Sequence, residues 1–202
     1  MFIGITQRLI INKSYYEERE TLALDWGKLF ANEKLFEGFL PLPLSYELDF
    51  KHYIAHLKAV ILSGGNDLYS YNSNDLSKKR DEYEKHIIAF CLKNKLPLLG
   101  ICRGAQIIAS FFNSTLKQCK NHLNEHQIFT NEGLQFRTNS FHNYHISSLG
   151  KDLSVLASAN DGSCEAFKHK ICPIYGLMWH IERDKGLENT HILKEWLDTI
   201  KR

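Results

Sequence analysis

The chain has 202 residues, 44% hydrophobic and 24% charged, with a formal net charge of +2. That length suits one folded unit with a proper core, and basic residues scattered rather than blocked give no case for a nucleic-acid partner. No run of about 18 apolar residues occurs, which argues against a membrane span, and the N-terminus lacks the basic-then-apolar pattern of a signal peptide. Cys91, Cys102, Cys119, Cys164 and Cys172 show neither metal-ligand nor disulfide-framework spacing. Free thiols in a reducing, cytoplasmic compartment are therefore expected.

Residues 1–202 read as a single domain, without repeats, low-complexity tracts or Gly/Ser linkers. Phe2–Thr6 reads as a short strand. Tyr16–Leu29 reads as a helix with Leu22, Trp26 and Leu29 on one side. Pro41 and Pro43 impose an extended segment. The His52/His56 spacing suggests a solvated helix. Ala59–Leu62 is a short apolar run ended by Ser63-Gly64-Gly65, as in a buried strand feeding a turn.

Asp81–Asn94 has helical spacing in Tyr83, Ile87, Ile88 and Cys91. Leu96–Ile101 follows as another buried strand, with Pro97 at its start, and Gly104–Phe112 as a helix. Alternating strands and helices of this kind predict an α/β fold, with a mostly parallel central sheet flanked by helices. The second half offers short strands at Gln127–Thr130, Leu134–Arg137 and Gly176–Trp179. Leu187–Ile200 closes the chain as a helix with Leu193, Trp196, Leu197 and Ile200 inward.

The chemistry concentrates in Gly100-Ile101-Cys102-Arg103-Gly104-Ala105-Gln106. A strand ends, a cysteine stands between two close glycines and a helix begins, which is the thiol counterpart of a G-x-S-x-G nucleophile elbow. At a helix N-terminus the unpaired N–H groups and the helix dipole favour a thiolate. The Arg103 N–H is then placed to face a substrate carbonyl oxygen, with Gly64 or Gly65 supplying a second donor from the other strand end. A cysteine nucleophile also needs a base with an orienting partner. His180 and Glu182 fit: if Gly176–Glu182 is a strand, both project to one side while Trp179 and Ile181 pack on the other. His122 and His126 are spaced to share a helix face but lack a third ligand, so no metal is expected.

Together these pieces resemble the class I glutamine amidotransferase-like superfamily. The resemblance is nearest to its γ-glutamyl hydrolase branch (peptidase family C26 and the γ-glutamyl-γ-aminobutyrate hydrolase group). It runs from Gly4-Ile5-Thr6-Gln7-Arg8 and the Glu18–Trp26 helix through Ser63–Asp67 and the cysteine motif. It continues through Asn139-Ser140-Phe141-His142 and Asp161–Ala166 to Trp179-His180-Ile181-Glu182. The resemblance implies a Cys102–His180–Glu182 triad, and substrate contacts from the backbone near Gly65, from Gln106, and from Asn139, Ser140 and His142. It also implies hydrolysis of a γ-glutamyl amide through a thioester, with a small-molecule γ-glutamyl substrate and no cofactor. Ile181 stands where the family commonly has Pro. Asn143 stands where the nearest relatives often have a second His, which bears on substrate identity. Two other functions fit the same motifs: a glutaminase subunit feeding ammonia to a separate synthetase, which the hydrolase reading does not require, and a non-enzymatic binding or redox-sensing relative.

Overall fold

A computed structural model describes residues 1–119 and 123–200. In chain order the first half holds β1 (Phe2–Thr6), β2 (Arg8–Ile11), β3 (Glu18–Thr21), α1 (Leu24–Asn32), β4 (Leu40–Leu44) and β5 (Leu57–Leu62). Then come α2 (Asp75–Asn94), β6 (Leu98–Ile101), α3 (Arg103–Phe111), β7 (Thr115–Gln118), β8 (Leu123–Thr130) and β9 (Gln135–Phe141). The last elements are β10 (Tyr144–Ser148), β11 (Leu153–Ala159), β12 (Cys164–His169), β13 (Ile174–Leu177) and α4 (His191–Asp198).

The fold is α/β. Its central sheet is parallel across β4-β1-β5-β6-β13, with helices on both faces. Beyond β13 the sheet continues antiparallel through β12-β11-β8-β9, the strand-rich second half. Alternation along the parallel strands builds two cores. Ile3, Ile61, Leu99 and Leu177 pack with Trp26 and Leu29 of α1 and with Leu193 and Trp196 of α4. Val60, Leu62 and Leu98 pack on the other face with Ile87 and Ile88 of α2 and Ile107 and Ile108 of α3. Burial on both faces explains why these strands read as continuous apolar runs. Pro41 and Pro43 lie on β4, an edge strand, where a missing N–H costs no ladder bond.

Several expected elements differ. Residues 18–21 are not helical: they pair with β2 in a hairpin, Arg8 opposite Thr21 and Ile11 opposite Glu18. Tertiary anchoring overrides local propensity there, because the Glu20 carboxylate accepts from Tyr46 N (2.6 Å) and Ser45 Oγ (3.0 Å). The helix starts at Leu24 instead. His52 and His56 are exposed as expected, but on two short 3₁₀ turns rather than a helix. His126 lies on β8, which removes the helical geometry supposed for His122 and His126; His122 itself lies outside the described residues. Among the described residues, no helix is long and apolar enough to cross a membrane.

Candidate active site

The carboxyl ends of β5, β6 and β13 lie side by side, with Leu62 opposite Gly100 and Gly100 opposite Gly176. Ligands of open α/β sheets bind at such an edge. Cys102 sits there between β6 and α3 with φ 51° and ψ −106°, a region non-glycine residues rarely adopt. Main-chain bonds hold it in place: Cys102 N donates to Leu177 O (2.8 Å), and Cys102 O accepts from Gln106 N (3.0 Å). The flanking glycines are demanded by backbone contact. A Cβ on Gly100 would lie 2.4 Å from Gly104 O, and one on Gly104 would lie 2.0 Å from Leu62 O.

His180 arrives in the turn after β13. Because β13 ends at Leu177, strand alternation is not what puts His180 and Glu182 together. The turn does so: His180 Nδ1 lies 2.6 Å from Glu182 Oε1. Trp179 and Ile181 are nevertheless buried in the core, as expected. Asn139 pins this turn. Its Oδ1 accepts from His180 N (2.9 Å), and its Nδ2 donates to the carbonyls of His180 (2.9 Å) and Asp184 (2.8 Å). Gly64 leaves the space the imidazole needs, since a Cβ there would lie 2.7 Å from His180 Cε1 and 3.6 Å from Cys102 Cβ. Burial by itself would lower the His180 pKa, but hydrogen bonds and charge from Cys102 and Glu182 outweigh it and push it up to about 9. The raised value favours the charged ring, the form able to donate a proton.

Two cavities meet at this point. One, of about 360 Å³, is lined by Gly65, Cys102, Arg103, Gln106, Phe141 and His142, among others. The other, of about 220 Å³, has Gly64, Gly65, His180 and Glu182 on its wall. A larger hollow of about 520 Å³ beside Leu57 and Pro97 lies away from Cys102 and His180, and volume alone supplies no chemistry. Gln106 donates from Nε2 to Tyr144 O (2.9 Å). His142 Nε2 lies 3.7 Å from the fully buried Glu165 Oε2. Asn139 and Ser140 are buried on β9 and line neither cavity.

Sequence reasoning missed the support beneath the Ser63–Asn66 turn. Arg80, wholly buried on α2, donates to the carbonyls of Gly65 (2.7 Å), Gly64 (3.2 Å) and Ser63 (3.2 Å) and to Asn66 Oδ1 (3.0 Å). It also pairs with Glu84 (3.0 Å), and Glu84 and Asp81 in turn pair with the Arg103 guanidinium. Burial alone would raise the Glu84 pKa; the flanking Arg103 and Arg80 charges hold it below its ordinary value. One buried network thus joins the Gly64-Gly65 turn to the residue beside Cys102. The only signal in the sequence is the i,i+4 spacing of Arg80 and Glu84, which ordinarily marks a surface pair.

Comparison with known proteins identifies the family. Residues 43–200 match the family Glutamine amidotransferase class-I. The chain is 61% identical, over the full length of both proteins, to the gamma-glutamyl-CDP-amidate hydrolase of Campylobacter jejuni. It is 29% identical to a glutamine-hydrolyzing GMP synthase component of Methanococcus aeolicus, over 69% of this chain and 72% of that one. A glutamine amidotransferase structure from Thermotoga maritima superposes with a TM-score of 0.65 at 17% identity, covering 98% of this chain and 80% of that one. This chain belongs to the class-I glutamine amidotransferase family.

Proposed function

We propose that the chain hydrolyses the γ-glutamyl amide bond of a γ-glutamyl nucleoside diphosphate amidate, γ-glutamyl-CDP-amidate being the specific substrate, with Cys102, His180 and Glu182 as its catalytic residues. The observation that carries this reading is a cysteine in a strained elbow at the sheet's carboxyl edge, beside a histidine whose Nδ1 is backed by a carboxylate. The full-length 61% identity supports γ-glutamyl amide hydrolysis and directs the choice of leaving group. The chain is a hydrolase of that bond and works without a synthetase partner. Its five free thiols suit a reducing compartment, and we assign it to the cytoplasm and to the C26-like branch.

The Cys102 thiolate attacks the γ-carbonyl carbon, and the oxyanion is met by the N–H groups of Gly65 and Arg103. The C–N bond breaks as His180 gives its proton to the departing nitrogen, leaving a γ-glutamyl thioester. Neutral His180 then takes a proton from water, whose oxygen attacks the thioester, and glutamate leaves as the thiolate is restored. Glu182 keeps the imidazole oriented and favours its charged form. Gln106 and His142 would secure the glutamyl end, with Asn139 acting by fixing the His180 turn.

The test is acid quenching during turnover followed by intact-mass analysis and peptide mapping. One glutamyl unit on the peptide carrying Cys102 supports the mechanism; an adduct on any other residue overturns it.

A further inference from the structure

On the mechanism proposed above, His180 protonates the departing nitrogen, which directs the leaving group to the His180 side, where the 220 Å³ cavity has His180 on its wall. In a γ-glutamyl diphosphate amidate that nitrogen is bonded to phosphorus, so the first group met there is a dianionic diphosphate. Two arginines stand on this cavity's wall: Arg8 at the start of β2, at the boundary where it also borders the 360 Å³ cavity, and Arg183 in the turn after His180, which borders this cavity alone of the two. The side chain of Arg8 lies across the Gly64-Gly65 turn: a Cβ on Gly65 would come within 2.8 Å of Arg8 Cδ. The Arg183 guanidinium sits 4.7 Å over the ring of Phe141, and that ring packs edge-on to His180 at 5.7 Å.

The charge pattern singles out this pair. Six arginines fall within the described residues: Arg8, Arg19, Arg80, Arg103, Arg137 and Arg183. Arg19 is paired with Glu17, Arg80 with Glu84, Arg103 with Asp81 and Glu84, and Arg137 with Glu125. Among the described residues, Arg8 and Arg183 have no carboxylate partner, and both are exposed on the same rim. The Glu182 carboxylate that shares the wall is engaged by His180. Stacking on Phe141 restricts the Arg183 side chain in advance, which lowers the ordering cost of binding an anion. A guanidinium presents paired donors that match phosphate oxygens.

We propose that Arg8 and Arg183 clamp the diphosphate of the leaving group, and so make this enzyme select a phosphorylated nitrogen over a simple amide. The inference rests on the substrate reading above. Its test compares γ-glutamyl-CDP-amidate with γ-glutamyl-p-nitroanilide, whose leaving group carries no phosphate, in wild type, Arg8→Ala and Arg183→Ala. The preference for the diphosphate substrate, as a ratio of kcat/KM values, should fall roughly 10- to 100-fold in each variant, the span expected for one lost charged hydrogen-bonding partner. CDP should inhibit the wild type competitively, with its inhibition constant rising in parallel in both variants. Because the rim is exposed, KM for the diphosphate substrate should also climb with ionic strength. A wild type that turns over the CDP-amidate with an unchanged preference in both variants overturns the clamp alone. A wild type that cleaves the p-nitroanilide but leaves the CDP-amidate intact overturns the substrate reading, and the clamp with it.

Discussion

Replacing Arg80 by Met keeps the length of the side chain and removes its donors, which makes it the sharpest perturbation of the support under the site. The Ser63, Gly64 and Gly65 carbonyls each lose the guanidinium bond described above. Asn66 Oδ1 keeps its bond from Leu9 N (3.2 Å), and Glu84 keeps Arg103 and Tyr46. Removing one partner from a buried ion pair costs about 3–5 kcal/mol. The Gly64 carbonyl keeps its bond from Ser63 Oγ (3.4 Å), and the two stranded carbonyls of Ser63 and Gly65, at about 1–3 kcal/mol each, give a similar range of about 2–6 kcal/mol. These figures count overlapping losses, so about 3–5 kcal/mol is the expected total, against about 5–15 kcal/mol for a whole domain. With a urea slope of about 2–3 kcal/mol/M, the unfolding midpoint should drop by roughly 1–2 M. Where the variant is still folded, kcat should fall at least ~10-fold as the Gly64-Gly65 turn loses its anchor. A midpoint within ~0.3 M of wild type together with an undiminished kcat would mean that Arg80 does not hold this turn in place.

Four further expectations concern the site itself. In wild type, kcat/KM should decline as pH rises through about 9, where His180 loses the proton it must donate; in Glu182→Gln this alkaline limb should move to lower pH, and an unmoved limb would sink the orienting role. The sign for stability agrees: a raised folded-state value means the His180 contribution is whole below about 6.5 and lost as pH climbs toward 9, so Glu182→Gln should lower the unfolding midpoint more at pH 6 than at pH 10. Gly64→Ala places a Cβ 2.7 Å from His180 Cε1 and should displace the ring, reducing single-turnover acylation by roughly 100-fold with a normal circular-dichroism spectrum. Gln106→Ala should raise KM for every γ-glutamyl substrate alike, and a rise confined to one leaving group would place Gln106 on the wrong side of the scissile bond.

The parallel half of the fold was readable because its strands are buried on both faces, so Ala59–Leu62 and Leu98–Ile101 appear as unbroken apolar runs ending in glycine. The elbow was readable for a related reason: Gly100 is required by the main chain of Gly104 and Ala105 just beyond it, and Gly104 by the main chain of Leu62 at the end of the neighbouring strand β5. The β3 segment was not, because its conformation depends on pairing with β2 and on anchoring of Glu20 by residues 45 and 46. The His180–Glu182 pairing was expected on a strand and is formed by a turn; the two residues are near enough in sequence that either backbone brings them together. Arg80, Asp81 and Glu84 escaped notice because charges on a helix ordinarily face water. Only the tertiary approach of the Ser63–Asn66 turn shows that these charges are interior.

The assignment of Cys102 as the nucleophile of a free-standing hydrolase is tested by following glutamate release from γ-glutamyl-CDP-amidate, glutamine and γ-glutamyl-p-nitroanilide, with wild type and Cys102→Ala in parallel. Wild type should release glutamate from the CDP-amidate most efficiently, without any added partner protein, and Cys102→Ala should be folded and inactive on all three. Undiminished release by Cys102→Ala would contradict the assigned nucleophile. Wild-type release appearing only when a synthetase is added would contradict the free-standing hydrolase.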